Sequence, residues 1–310
     1  MRFNSVVFCG GGCRCVWQAG FWQVAAAALD LERAVIGSVS AGAAMACLAR
    51  AGRIQQGLAA FKQRFCANRR NFYPAHWVGQ RPVFPHYEIF REGLLSVLDE
   101  EAMHRLKASP DIRVLLALPP AGLPGQLAAA LGIGAYILER HLLKPMHPSW
   151  SRRLGFRPLT LSVQSCLDYR QVADLVLQSS CTPPFVPLQY RSRQPVLDGG
   201  LIDNCPIATV ADVQGPSLVL LSRRYRQTRF PNVSGRLYLQ PSQAPPIGRW
   251  DYTNSKGLQA TFDLGCRDAE TFLARIGPTA SGPAKTVQSG ERESGAAPKK
   301  SAQKGRAAPP

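Results

Sequence analysis

Short apolar runs bounded by glycine or proline alternate along this chain with longer alanine- and leucine-rich stretches of helical spacing. The short runs are rich in β-branched residues, so the sequence reads as strand, helix, strand, helix. Strands are predicted at Ser5 to Phe8, Ala34 to Gly37, Arg113 to Leu118, Leu159 to Ser165, Pro195 to Leu197, Ser217 to Ser222 and Arg236 to Leu239. Helices are predicted at Val16 to Leu29, Ala41 to Ala51, Tyr87 to Asp99, Gln171 to Ser179 and Leu258 to Ile276. This order predicts an α/β domain with a mainly parallel sheet covered by helices.

The composition changes abruptly after Ile276. Residues 277–310 are rich in Gly, Pro, Ala, Ser, Lys and Arg and contain almost no large apolar side chain, so burial cannot offset the entropy of ordering them. We therefore predict one folded domain over residues 1–276 and a disordered basic tail over residues 277–310. A length of 310 residues, 45% of them hydrophobic, is sufficient for one such domain with a substantial core.

The chain has 37 Lys and Arg against 20 Asp and Glu, a formal net charge of +17. The predicted tail holds six basic and two acidic residues, which leaves +13 on the body. Such charge favours a partner that carries phosphate, either nucleic acid or an anionic membrane surface. The sequence contains no zinc finger, no ribonucleoprotein-type aromatic motif and no basic zipper, which argues against nucleic acid and leaves peripheral contact with an anionic membrane.

The nine cysteines are an odd number and lack the spacing of a disulfide framework or of a zinc site. Small buried thiols in a reducing compartment explain them better. The chain starts on the strand-like run Phe3 to Phe8, with no basic and apolar leader, so no signal peptide is predicted. The expected location is therefore cytoplasmic, with contact to a membrane at most peripheral.

The stretch from Leu123 to Leu138 carries no charged residue. It is shorter than the ~20 residues that a spanning helix needs, so no transmembrane helix is predicted. The neighbouring Pro119, Pro120 and Pro124 are expected to prevent one continuous helix. Two interpretations stay open at this point, an ordinary core helix and a flap that faces substrate or membrane.

Ser40 lies in the sequence Ser38-Val39-Ser40-Ala41-Gly42, between a strand-like run and an alanine-rich helix. The segment matches the pattern G-x-S-x-G with serine in place of the first glycine. This pattern is typical of a sharp strand-to-helix turn that lifts a nucleophilic hydroxyl above the sheet and needs small neighbours. A serine that merely caps the helix is the alternative.

A glycine-rich loop follows the first predicted strand and precedes a helix. Its residues are Gly10, Gly11, Gly12, Cys13 and Arg14. Successive glycines leave backbone N–H groups unobstructed, so the loop can supply an oxyanion hole. A dinucleotide-binding loop is the competing interpretation, and it fits poorly because Cys15 stands at the third fingerprint position and the second strand lacks a terminal acid.

Asp198 ends a strand-like run and is followed by Gly199 and Gly200. Two glycines permit close approach of backbone, so the carboxylate can be presented into a cleft as a general base. A solvated aspartate in a turn is the alternative when this motif is taken alone.

Together and in this order, the glycine-rich loop, the serine turn and Asp-Gly-Gly resemble the patatin-like phospholipases, over roughly residues 3–276. The resemblance implies a three-layer α/β/α sandwich around a mainly parallel sheet, and a Ser-Asp dyad without histidine. It makes Ser40 the nucleophile, Asp198 the base and residues 10–14 the oxyanion loop. The supporting glycines that it implies are Gly42, Gly199 and Gly200.

Two further segments are similar to that family, and two positions depart from it. Asn204 and Pro206 match the segment after Asp-Gly-Gly, and Thr-Pro-Pro-Phe at 182–185 resembles the stretch that precedes the aspartate. Cys15 stands where the family usually has glycine after the basic residue of the loop, and Ser38 where the serine turn usually begins with glycine. These departures leave open a catalytically inactive relative.

The resemblance implies a lipid acyl hydrolase of phospholipase A or esterase type that acts on phospholipid or another lipid ester and needs no metal and no organic cofactor. The five histidines all precede Asp198 and are interpreted as structural or surface residues; they are His76, His86, His104, His141 and His147. A conventional α/β-hydrolase triad has its histidine after the acid and is therefore excluded. An acyltransferase, a non-catalytic lipid-binding relative and a basic nucleic-acid binder remain as alternatives.

Overall fold

The computed structural model describes residues 2–78, 82–143, 145–226, 230–231 and 233–277. The predicted tail lies outside the described residues except for Gly277, so it and the domain boundary stay predictions.

A mixed, mainly parallel sheet forms the centre of the described chain. Its strands are β1 Ser5–Phe8, β2 Val35–Val39, β3 Ile112–Leu118, β4 Arg157–Ser162, β5 Gln189–Arg191, β6 Gln194–Asp198, β7 Ser217–Leu220 and β8 Arg236–Leu239. The order is β5-β6-β3-β2-β1-β7-β8, and β4 also pairs with β3. The strands β3, β2, β1, β7 and β8 are mutually parallel, whereas β4 and β6 run antiparallel to β3.

Helices cover this sheet. They are α1 Val16–Ala25, α2 Ala41–Arg50, α3 Ile54–Ala67, α4 His86–Leu95, α5 Glu100–Ala108, α6 Gly125–Leu142, α7 Trp150–Arg153, α8 Tyr169–Ser179 and α9 Ser255–Ile276. The helices α1 and α9 pack along each other, and the Trp17 Nε1 of α1 donates to the Asp268 Oδ2 of α9 at 2.8 Å.

Alternate residues of the central strands point to opposite faces of the sheet. In β1, Val6 and Phe8 enter the large core beneath α1 to α5, α8 and α9, whereas Val7 enters a smaller core on the other face. In β3, Leu115 and Ala117 face the core beneath α6. Burial on both faces explains why these strands are apolar throughout, and it confirms the predicted three-layer α/β/α arrangement.

Most of the predicted helices and strands occur within a few residues of their expected bounds, and β1 and β8 have the predicted bounds. The expectation of an interrupted Leu123 to Leu138 segment is wrong, because α6 is continuous from Gly125 to Leu142. The three prolines precede the helix, and Pro124 occupies its N-cap, where a missing N–H costs nothing. Among the described α-helices and strands, α3, α5, α7 and β5 were not predicted.

Candidate active site

Strand register brings Ser40 and Asp198 to the same level of the sheet. The central strand β3 lies between β2 and β6; Val39 of β2 pairs with Leu115, and Asp198 of β6 pairs with Leu116. Ser40 directly follows Val39, so the two side chains meet across the end of β3. The Ser40 Oγ donates a hydrogen bond to the Asp198 Oδ2 at 2.8 Å. Each residue is only 3% exposed.

Ser40 occupies a sharp turn between β2 and α2. Its φ of 55° and ψ of −138° are a conformation that a residue with a side chain rarely adopts, at a cost of roughly 1–3 kcal/mol. The surrounding structure stabilises it, because the Ser40 N–H donates to the Ser179 Oγ at 2.8 Å and the Ser179 hydroxyl donates to the Leu115 carbonyl at 2.7 Å. A Cβ at Gly42 would lie 2.7 Å from the Phe8 and Cys9 carbonyl oxygens, which explains the small residue there.

Asp198 is held by hydrogen bonds on both carboxylate oxygens. Its Oδ1 accepts from the Gly200 N–H at 2.7 Å, and its Oδ2 accepts from Thr182 Oγ1 at 3.1 Å in addition to Ser40. Burial raises the pKa of Asp198, although the nearby Arg249 cation and these hydrogen bonds act against the rise. A carboxylate with a raised pKa is a stronger base than an exposed one.

The glycine-rich loop is fixed next to this pair. The Gly10 N–H donates to the Asn204 carbonyl at 2.9 Å, and the Asn204 Nδ2 donates back to the Gly10 carbonyl at 2.9 Å. The Cys13 N–H donates to the Arg249 carbonyl at 3.1 Å. Of the predicted loop donors, Gly10 and Cys13 are therefore occupied, whereas the Gly11 and Gly12 N–H groups have no acceptor among the described residues.

Gly12 must be glycine for the loop to keep this shape. Its φ is +61°, and a Cβ would overlap the Arg249 carbonyl oxygen. The same carbonyl accepts the Cys13 N–H, so the loop and the segment before α9 are tied together at this point.

The two departures from the family pattern are accommodated without disturbing the pair. Ser38 is fully buried in β2, and its hydroxyl donates to the Arg113 carbonyl at 3.0 Å. Cys15 is also buried, and its thiol contacts the Cys9 carbonyl at 3.4 Å. Burial raises the pKa of Cys15 to about 12, so its thiol is neutral at physiological pH.

A narrow apolar cavity begins beside the nucleophile. Its wall includes Ala41, which directly follows Ser40 in the chain, and Gly12 and Cys13 of the glycine-rich loop. The rest of the wall comes from α1 to α4 and α9, and includes Met45, Leu48, Leu58, Phe61, Phe65, Leu258 and Phe262. With a volume of about 50 Å³, this cavity offers a small apolar group a place beside the residue that follows the serine.

In the described part of the chain, the histidines that form hydrogen bonds form them with partners other than Ser40 and Asp198. The His147 Nδ1 lies 2.9 Å from the Asp203 Oδ1, His86 contacts the Trp250 carbonyl and His76 contacts the Pro82 carbonyl. Ser40 and Asp198 therefore form a pair without an imidazole in the described part of the chain. Within the same residues, no group of three His, Cys, Asp or Glu side chains is arranged to hold a metal ion.

Two residues that shape the site were missed in the sequence. Ser179 holds the backbone of Ser40, and Arg249 places a cation near Asp198. Neither residue lies in a recognisable motif, and each is far from its partner along the chain. No local sequence signal therefore identified them as site residues.

No helix in the described ranges has the length and apolar character needed to cross a membrane.

The chain is similar to known proteins in its sequence and in its fold. A family model described as patatin-like phospholipase matches residues 6–211. Among solved structures, VipD from Legionella pneumophila is similar at 10% identity and a TM-score of 0.40, over 87% of this chain and 67% of VipD. No curated protein sequence matches the chain. The chain belongs to the patatin-like phospholipase family, a family of lipid acyl hydrolases.

Proposed function

We propose that this protein cleaves the carboxylic esters of phospholipids with a Ser40–Asp198 dyad. The observation that carries the proposal is the 2.8 Å hydrogen bond from the Ser40 hydroxyl to the Asp198 carboxylate, made by a serine in a strained turn at the start of a helix. A nucleophile within hydrogen-bond reach of a buried base is the arrangement that acyl transfer through a covalent intermediate requires.

In the proposed reaction, the Ser40 Oγ attacks the ester carbonyl carbon while Asp198 takes the hydroxyl proton. The N–H groups of Gly11 and Gly12 stabilise the negative charge that develops on the carbonyl oxygen. The bond to the leaving alcohol then breaks, and Asp198 returns the proton to that oxygen. Water repeats the sequence on the acyl-enzyme, with Asp198 again as base, and releases a fatty acid and free Ser40.

The apolar cavity beside Ser40 supports a lipid substrate. Its wall contains methionine, leucine and phenylalanine side chains and includes Ala41, the residue after Ser40. An acyl chain bound there would bury its methylene groups at about 0.8 kcal/mol each and bring its carbonyl to Ser40.

The helix α6 supports peripheral contact with an anionic membrane. Its buried face packs on the sheet through Ala128, Ala129 and Tyr136, whereas its other face leaves leucines exposed to solvent. These leucines are Leu127, Leu131, Leu138 and Leu142. An apolar helix face on a chain with a net charge of +17 is suited to a bilayer that carries negative charge.

The proposal is tested by comparing the wild type with Ser40→Ala and Asp198→Asn on a short-chain nitrophenyl ester and on phospholipid vesicles. Each variant should lose at least about a thousandfold in kcat/KM on both substrates, because each removes a group that makes or breaks the covalent bond. Ser38→Ala is the matched control, since it removes a buried hydroxyl two residues away that donates to the Arg113 carbonyl. It should keep most of the activity.

Circular dichroism and thermal unfolding show whether each variant is folded. A folded Ser40→Ala protein that still hydrolyses esters would exclude the dyad. A folded wild type that is inert on both substrates would indicate a lipid-binding relative, and transfer of the acyl group to an added alcohol in preference to water would indicate an acyltransferase.

A further inference from the structure

A large open cleft, of about 1000 Å³, lies next to the glycine-rich loop. Four separate parts of the chain contribute arginines to it: the loop itself, α6, the segment after β7 and the segment before α9. These arginines are Arg14, Arg140, Arg223, Arg224, Arg226 and Arg249. No carboxylate lines the cleft among the described residues, so its walls are strongly positive.

Of the cleft arginines, Arg249 lies near the Asp198 carboxylate, and none forms a direct ion pair with an acid in the described ranges. Elsewhere arginines pair with acids, as Arg53 does with Asp99 and Arg113 with Asp212. None of the six cleft arginines forms such an ion pair within the described ranges. The Arg223 Nε donates to the Tyr225 hydroxyl at 2.6 Å, and the buried Arg249 Nε has no hydrogen-bond partner.

The arginines are close enough to act on one another. Partial burial lowers the pKa of Arg14, and the neighbouring Arg140, Arg249 and Arg223 cations lower it further. Although burial alone would raise the pKa of Tyr136, the cations of Arg249, Arg223 and Arg140 lower it. Several like charges held close together destabilise the fold, and a bound anion would reduce that cost.

The cleft and the dyad lie on either side of the glycine-rich loop. A small space lined by Gly10 and Gly11 shares Arg14, Arg140 and Arg249 with the cleft. On the other side of the loop, a Cβ on Gly10 would lie 3.4 Å from the Ser40 Cβ. A molecule whose ester carbonyl sits at Ser40 can therefore extend its remaining part into the arginine cleft.

We propose that the arginine cleft binds the headgroup of the substrate and selects phospholipids whose headgroup ends in a phosphate monoester. The proposal rests on the dyad acting on phospholipids. Guanidinium groups bind phosphate oxygens through paired, charge-assisted hydrogen bonds, and a terminal phosphate monoester carries more negative charge than a diester. The same arginine charges disfavour a choline headgroup, because the choline cation offsets the negative charge of its phosphate.

The test uses substrates that are monomeric in solution, so that attraction of the basic protein to a charged surface does not contribute. Dihexanoyl phosphatidic acid and dihexanoyl phosphatidylcholine are compared below the concentration at which they form micelles. The wild type should cleave the phosphatidic acid with at least about a tenfold higher kcat/KM, because hydrogen bonds to charged groups contribute on that order. The double variant Arg140→Gln/Arg223→Gln should lose this ratio.

The matched control is Arg153→Gln/Arg157→Gln, which removes two exposed charges outside the cleft. It should keep the wild-type ratio. Equal cleavage of the two lipids by the wild type would overturn the headgroup proposal and leave the dyad standing. Loss of the ratio in the control to the same extent as in the cleft variant would also overturn it, since overall charge would then explain the preference.

A binding measurement separates the cleft from the chemistry. Calorimetry on Ser40→Ala should show that this variant binds dihexanoyl phosphatidic acid. Adding Arg140→Gln/Arg223→Gln to the same variant should abolish that binding. This result is expected even if the wild type hydrolyses neither lipid and the proposed function fails. Absence of binding overturns the inference. Inorganic phosphate that binds as tightly as the lipid would assign the cleft to a soluble phosphate and likewise overturn it.

Discussion

Asp198 experiences two opposing effects, because burial favours its neutral form whereas the Arg249 cation favours its charged form. Burial is the larger, so the pKa of Asp198 lies above its ordinary value. Since the base must be ionised, kcat/KM on a neutral short-chain ester should fall on the acid side at a pH above the usual carboxyl range of about 4. Arg249→Met should move this limb to higher pH. A limb that stays in place, or moves down, would contradict the assignment of Asp198 as base.

The same raised pKa has a consequence for stability. Below the pKa of an unfolded aspartate, Asp198 is protonated in both states and costs nothing; as the pH rises through its folded-state pKa, the buried charge destabilises the native state. Asp198→Asn should therefore unfold at a temperature equal to or above that of the wild type at pH 8, with the difference disappearing at low pH. Thermal unfolding across this range measures it. A large fall in Tm at pH 8 would show that the ionised carboxylate stabilises the fold.

Single residues show where inference from the sequence ends. Ser40, Asp198 and the glycines lie in local sequence patterns, and such patterns specify the local shape of the backbone. Arg249 and Ser179 act on the site from 209 and 139 positions after Ser40, through contacts that only the packed sheet creates. The occupied N–H groups of Gly10 and Cys13 could not be foreseen either, since their acceptors lie on Asn204 and Arg249.

At the scale of elements, α6 is the part of the fold most open to test. Replacing Leu127, Leu131 and Leu138 by glutamine should reduce hydrolysis of anionic vesicles by at least about tenfold. Each leucine is about half exposed, so burying the rest of its side chain in a bilayer contributes roughly 1 kcal/mol. Hydrolysis of the monomeric nitrophenyl ester should be unchanged. Vesicle co-sedimentation reports the loss of binding directly.

Leu167→Gln is the control for the α6 variant, because this leucine is 80% exposed and lies before α8. It should leave vesicle hydrolysis intact. Equal losses on vesicles and on the monomeric ester would show that the α6 substitutions disturb the catalytic centre rather than a membrane contact.

The helices and strands also show which sequence signals are sufficient to predict secondary structure. The central strands were predicted because burial on both faces makes them apolar throughout, which is visible in the sequence. The helices α3 and α5 were missed because they carry several polar and charged residues on their exposed faces. The strand β5 has three residues, two of them exposed, and no such segment can be distinguished from a loop by its composition.

At the scale of the whole molecule, the tail is predicted to contribute charge rather than structure. A chain that ends at Pro278 should unfold within about 2 °C of the full-length protein and keep its kcat/KM on the monomeric ester, because the tail lacks the apolar residues to join a core. Its binding to anionic vesicles should weaken modestly and more so at low salt, in line with the four net charges removed. A clear fall in Tm would show that the tail packs on the domain.

If the exposed leucines of α6 hold this enzyme at a bilayer, its search for substrate takes place in two dimensions instead of three. A protein held at a bilayer diffuses along a plane and meets each lipid at a density set by its mole fraction, not by its concentration in solution. Its rate would then fall when the cleavable lipid is diluted by an inert one at constant total lipid. The composition of the surface, more than the amount of substrate, would govern its turnover.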